Sequence, residues 1–129
     1  KALRRARDSA RAGARVNQIG QAISRTARET GFVTINDLGS HGVGRSLHEE
    51  PHFITNFFDR EDPRVLEEGQ VITIEPFLST GVDRTTTADD GWTLRTGENN
   101  FSAQFEHTMI ITRDKPIVLT TARPTQTAA

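Results

Sequence analysis

Two glutamates in this chain stand where carboxylates are costly. Glu75 lies inside the apolar run Val71-Ile72-Thr73-Ile74 and is followed by Pro76, so a charge there must be paired or bound to a cation. Strand alternation puts Val71, Thr73 and Glu75 on one face and Ile72, Ile74 and Pro76 on the other, and Pro76 biases Glu75 towards extended geometry. Glu106 repeats the pattern: Gln104, Glu106 and Thr108 share one face, and Ala103, Phe105, His107 and Met109 the other. A lone strand carboxylate is ordinarily a solvated edge group. Two that converge repel unless a proton or a cation lies between them, and a divalent ion is the usual solution.

Imidazoles complete the set. His41 sits in Gly39-Ser40-His41-Gly42-Val43-Gly44, where flanking glycines let the backbone approach another element closely. A single histidine is more often a surface or core residue. His48, seven residues later, has the wrong spacing for a helix-borne metal pair and reads as a hydrogen-bond partner for a substrate. The chain has no cysteine, which removes thiolate nucleophiles, disulfides and cysteine metal sites together.

The elements that must position these groups follow from pattern. Ala2 to Ala12 is alanine-rich helix with Gly13 as its stop, and Asn17 can cap a second helix carrying Ile19, Ala22, Ile23 and Ala27 towards Gly31. Phe32 to Ile35 is a short strand, Pro51 to Gly69 reads as loop and turns, and Gln70 to Leu78 is a strand turned at Ser79-Thr80-Gly81. Asp89-Asp90-Gly91 and Gly97-Glu98-Asn99-Asn100 bracket Trp92 to Thr96, and beyond them Phe101 to Ile111 and Ile117 to Thr120 are strands joined by Asp114-Lys115-Pro116, short connections that imply antiparallel pairing. Helices followed by an antiparallel sheet define an α+β class, with residues 1–120 as the folded unit and 121–129 as a flexible tail.

With 129 residues, 34% hydrophobic and 26% charged, the chain has the composition of a globular protein, and no apolar run approaches a membrane span. No secretory signal stands at its start, so the cytoplasm is the expected location. The net charge of −1 gives no global field for nucleic acid, although Lys1, Arg4, Arg5, Arg7, Arg11 and Arg15 crowd the first fifteen residues as a solvated helix face or a ribosome contact.

Four segments, His41 to Pro51, Thr73 to Pro76, Asp90 to Thr93 and Ser102 to Thr108, together resemble the C-terminal half of type I methionine aminopeptidases, over about Ala6 to Thr120. The resemblance implies a pita-bread fold with two N-terminal helices and a curved, mostly antiparallel sheet. It matches His41, Glu75 and Glu106 to three of five metal ligands, Glu75 and His48 to catalytic positions, and His48, Leu47 and Trp92 to substrate contacts. It also implies two divalent ions in a complete enzyme (cobalt, manganese, iron or zinc), with at most one held weakly by these 129 residues. Implied partners are N-terminal peptides of nascent proteins, with the ribosome and a separate N-terminal half as further candidates. Departures from the family pattern are Ser40 for a common glycine and Leu47 for a common phenylalanine. The family's two aspartate ligands come from an N-terminal half, and neither Asp8 nor Asp37 can replace them, so the 129 residues alone are expected to be inactive. Two alternatives stand beside this: a non-catalytic binding module of the same fold, and a proline-specific (Xaa-Pro) metallopeptidase, which Ser102 to Thr108 disfavours.

Overall fold

A computed structural model describes residues 1–121; the expected tail falls almost wholly outside them. Two helices come first, α1 (Ala2–Ser9) and α2 (Asn17–Glu29). Ten strands follow: β1 (Val33–Thr34), β2 (Gly39–Gly42), β3 (Glu49–Thr55), β4 (Val71–Ile74), β5 (Phe77–Ser79), β6 (Thr86–Thr87), β7 (Leu94–Arg95), β8 (Ser102–Gln104), β9 (His107–Ile110) and β10 (Ile117–Val118). They form a five-stranded sheet ordered β10-β9-β4-β2-β3, a three-stranded sheet ordered β1-β5-β8 and the hairpin β6-β7. Every pairing is antiparallel, in keeping with the α+β class.

The helices cover one face of the larger sheet. Ala6 and Ala10 from the first helical segment and Val16, Ile19 and Ile23 from the second meet Ile72, Ile74, Met109 and Ile111, all of them buried. Small alanines let α1 lie close to the sheet, while the isoleucines supply most of the apolar surface removed from water. This arrangement leaves the alternate face of β4, with Thr73 and then Glu75, turned away from the helices. Among the described residues no helix is long and apolar enough to cross a membrane.

Several boundaries differ from the sequence expectation, each for a physical reason. The first helix stops at Ser9 rather than Ala12, because the next residues pair with distant backbone instead: Ala12 N–H donates to Thr112 O (2.8 Å), Gly13 N–H to Leu66 O (2.9 Å) and Leu66 N–H to Ala14 O (2.9 Å). Asn17 makes no cap; its side chain is buried and donates to Asp59 O at 2.9 Å, tying α2 to the 59–62 turn. Strand β3 runs through Pro51, which was expected to open a loop. As the last strand of its sheet it pairs on one side only, where a residue lacking an N–H is tolerated. The long strands expected over Gln70 to Leu78 and Phe101 to Ile111 are each broken, after Ile74 and after Gln104, so that each contributes to both sheets.

The turn before β4 is held by a partly buried ion pair. Asp62 accepts from the Arg64 guanidinium (2.9 and 2.7 Å) and from the Arg64 backbone N–H (3.0 Å), and the same guanidinium donates to Phe53 O at 2.6 Å. Arg64 thereby holds the Asp62 carboxyl below its ordinary value of 3.8. A depressed folded pKa means that this stabilisation is complete above the unfolded value and is lost as pH falls through the folded one. Asp62→Asn should therefore lower the unfolding free energy at pH 7 by about 1 kcal/mol, discounted because Arg64 is partly solvent-screened. Urea unfolding at pH 7 and again below pH 3.8 checks this: the gap between the two proteins should narrow in acid, and a gap independent of pH contradicts it.

Candidate metal centre

The two strand breaks create the site. The same register continues on both sides of them, Ile74 opposite His107 and Phe77 opposite Gln104, so Glu75 stands opposite Glu106 and Pro76 opposite Phe105 at the seam between the sheets. Pro76 cannot donate to a ladder, which explains why pairing lapses there. The seam thus carries two carboxylates at the place where backbone hydrogen bonds are interrupted.

His41 enters from the neighbouring strand. The β2–β3 register shifts between Ser40 and Gly42, an irregularity that re-aims the side chain between them. A Cβ on Gly42 would sit 2.1 Å from Glu50 O, so only glycine allows β2 and β3 to close up beside His41. His41 is buried, and its Nδ1 lies 2.8 Å from Gly42 O. A carbonyl only accepts, so Nδ1 carries a hydrogen and Nε2 is the nitrogen left to face the site. That nitrogen lies 3.3 Å from Glu75 Oε1.

Glu75 is held at several points. The residue is only 8% exposed, its N–H donates to Ser40 Oγ at 2.9 Å, and Thr73 Oγ1 donates to its Oε1 at 3.2 Å while accepting the His41 N–H at 3.1 Å. Burial, and after it the charge of Glu106, pushes the Glu75 carboxyl above the usual carboxylate range, against hydrogen bonds from Gln104 and Thr73 and the attraction of His41. Gln104 Nε2 donates to Glu75 Oε2 at 3.2 Å and to Glu106 Oε2 at 3.3 Å. The donor types suit a divalent cation: an imidazole nitrogen turned towards a carboxylate, and carboxylate oxygens that repel one another without a positive charge between them. Among the described residues, however, no three His, Cys, Asp or Glu side chains are close enough to form a metal site as they stand. Glu106 is joined to the His41–Glu75 pair through Gln104.

His48 is brought next to His41, with ring centroids 4.2 Å apart and planes tilted by 52°, but its side chain is open to solvent. Its loop is shaped by Glu49, whose Oε1 accepts the Ser46 N–H at 2.7 Å. Leu47 and Trp92 are not enclosed: they are 71% and 87% exposed. Trp92 sits on a turn organised by Asp90, which accepts the Trp92 and Thr93 backbone N–H groups (2.9 and 2.8 Å). A cleft of about 520 Å³ lies beside α1, lined by Leu3, Pro76, Leu78, Ala103, Phe105 and His107 among others. By alternation these strand residues face away from Glu75 and Glu106, so this cleft is distinct from the carboxylate seam.

Three contributors had no assigned role at the sequence level: Gln104, Thr73 and Ser40. The first two were visible as neighbours of the glutamates on the same strand faces. Ser40 was visible only as a departure from a glycine pattern, yet its hydroxyl takes the Glu75 N–H, a bond glycine cannot make.

The chain belongs to Metallopeptidase family M24, whose profile matches residues 1–113. It is 46% identical over 119 residues to methionine aminopeptidase 2 of Bacillus subtilis (strain 168), a match covering 92% of this chain and 48% of that protein. Its fold superposes on the crystal structure of methionine aminopeptidase from Thermotoga maritima with a TM-score of 0.87 at 36% identity, covering 94% of this chain and 48% of that one. An X-Pro aminopeptidase from Thermotoga maritima is less similar, with a TM-score of 0.66 at 25% identity over 95% of this chain and 29% of that one. The chain spans about half the length of the curated relatives it matches.

Proposed function

We propose that the protein is an aminopeptidase that removes methionine from the N-termini of newly made proteins in the cytoplasm, with His41, Glu75 and Glu106 as ligands to divalent metal. The observation that carries the reading is the contact of His41 Nε2 with the buried Glu75 carboxylate at 3.3 Å, a nitrogen and an oxygen that only a proton or a cation can hold together. Lewis acidity is the chemistry that a bound cobalt, manganese, iron or zinc ion supplies at such a site. The chain's own residues do the rest. Glu75, whose backbone is fixed by Ser40 and whose carboxylate accepts from Thr73, would take a proton from the attacking water and return it to the departing amine. His48, solvent-facing and beside His41, is placed to donate a hydrogen bond to the carbonyl oxygen of the scissile peptide as it gains negative charge. Net, water adds across the C–N bond, giving free methionine and a shortened peptide. Greater likeness to the methionine enzymes than to the X-Pro enzyme favours methionine over an Xaa-Pro substrate.

The test is release of methionine from a Met-Ala-Ser peptide by the protein expressed from its complete reading frame, with manganese or cobalt added and then removed by chelator. Release that stops on chelation, with an Xaa-Pro peptide left intact, is the expected result. No release with any of the four metals, or preferential cleavage of the Xaa-Pro peptide, contradicts the reading. The 129 residues alone should release none.

A further inference from the structure

Gln104 occupies both carboxylates at once. Its amide nitrogen has two hydrogens, and they reach different glutamates, Glu75 Oε2 at 3.2 Å and Glu106 Oε2 at 3.3 Å. The register that sets Glu75 opposite Glu106 also puts Gln104 opposite Phe77, two residues along and on the same face as Glu106, so the amide reaches the pair from within the same seam. Two facing carboxylates without a cation repel. A donor with partial positive charge that bonds both is the cheapest neutral substitute for one.

We infer that Gln104 is a placeholder for the cation: a positioning residue that bridges Glu75 and Glu106 while the site holds no ion and gives up that bridge when one binds. This rests on the metal-site reading above and adds a claim that reading does not contain. If the bridge exists only in the ion-free protein, removing it raises the free energy of that state and leaves the loaded state alone. By linkage the ion must then bind more tightly, not less. A residue that merely supports the strand would affect both states equally and leave affinity unchanged. One whose bonds persist around the bound ion would, when removed, weaken binding.

The sign of the change therefore decides. Gln104 is exposed, so Gln104→Met, which keeps the length and loses the donor, should fold. In the protein expressed from its complete reading frame, titrated with Mn²⁺ by calorimetry at neutral pH, Gln104→Met should bind roughly 5-fold more tightly than wild type, the size expected from losing a modest charge-assisted bond in one state only. Its Tm should fall by about 2–4 °C in chelator and return to the wild-type value in saturating Mn²⁺. Gln104→Glu, which adds a third carboxylate, should show a larger drop in chelator and tighter binding still. Affinity in Gln104→Met that is unchanged or weaker, or an equal loss of Tm with and without Mn²⁺, overturns the placeholder role. A wild-type protein that binds no Mn²⁺ overturns the metal-site reading itself.

Discussion

Replacing Glu75 by glutamine is expected to reduce kcat/KM for methionine release by about 10³-fold, within the range that loss of a positioned general base produces. The change is nearly isosteric. Ser40 Oγ still receives the residue 75 N–H, and Thr73 Oγ1 can still donate to the remaining side-chain oxygen, so the seam should keep its shape. What disappears is the carboxylate that faces His41 Nε2 at 3.3 Å and that would accept the proton of the attacking water. Steady-state kinetics alongside the unfolding midpoint check this. Activity within tenfold of wild type would remove Glu75 from the chemistry, whereas an inactive protein with a collapsed midpoint would say nothing about catalysis, and a normal midpoint is therefore part of the expectation.

His48→Ala should cost about 10²-fold in kcat with KM little changed, the pattern of a hydrogen bond that strengthens as negative charge develops on the carbonyl oxygen. The side chain touches the site through His41, 4.2 Å away between ring centroids, and otherwise faces solvent, so its removal should leave stability intact. A rise in KM at constant kcat would instead make His48 a ground-state binding contact. No change in either constant would exclude it from the reaction.

The class of fold was legible because both signals for it are local. Ile19, Ile23 and Ala27 repeat at helical spacing, and alternation across Val71 to Glu75 sorts the side chains onto the faces where the structure has them. The seam was not legible. Nothing in the run Gln70 to Leu78 marks a change of sheet except Pro76, and Phe101 to Ile111 contains no breaker at all, so its interruption at Phe105 and Glu106 is imposed by the strand it faces. Helix α1 ends early for a similar reason: the carbonyls of Leu66 and Thr112 compete for the backbone of Ala12 and Gly13, and those partners are more than fifty residues away in the chain.

At the site, the identity of the unusual residues could be read, but their partners could not. Glu75 stood out as a carboxylate in an apolar strand and Glu106 as one sharing a strand face with a threonine; the register sets them opposite one another, Glu75 buried and Glu106 open to solvent. The hydroxyl of Ser40 on the Glu75 N–H, the Thr73 hydroxyl shared between His41 and Glu75, and the double bond of Gln104 each depend on register between strands thirty or so residues apart. Leu47 and Trp92 carry the opposite lesson. Their resemblance to pocket-lining positions says what they would face, but a wall needs a second side, and both side chains are mostly in solvent.

Whether His41, Glu75 and Glu106 close on a common cation is settled most directly by anomalous diffraction at the manganese edge from crystals of the protein expressed from its complete reading frame and grown with Mn²⁺. The expected result is a peak roughly 2.0–2.3 Å from His41 Nε2 and from carboxylate oxygens of both Glu75 and Glu106, the range for imidazole and carboxylate ligands to such ions. Manganese bound elsewhere, or no peak between these three side chains at full occupancy of the crystal by the ion, would contradict the account.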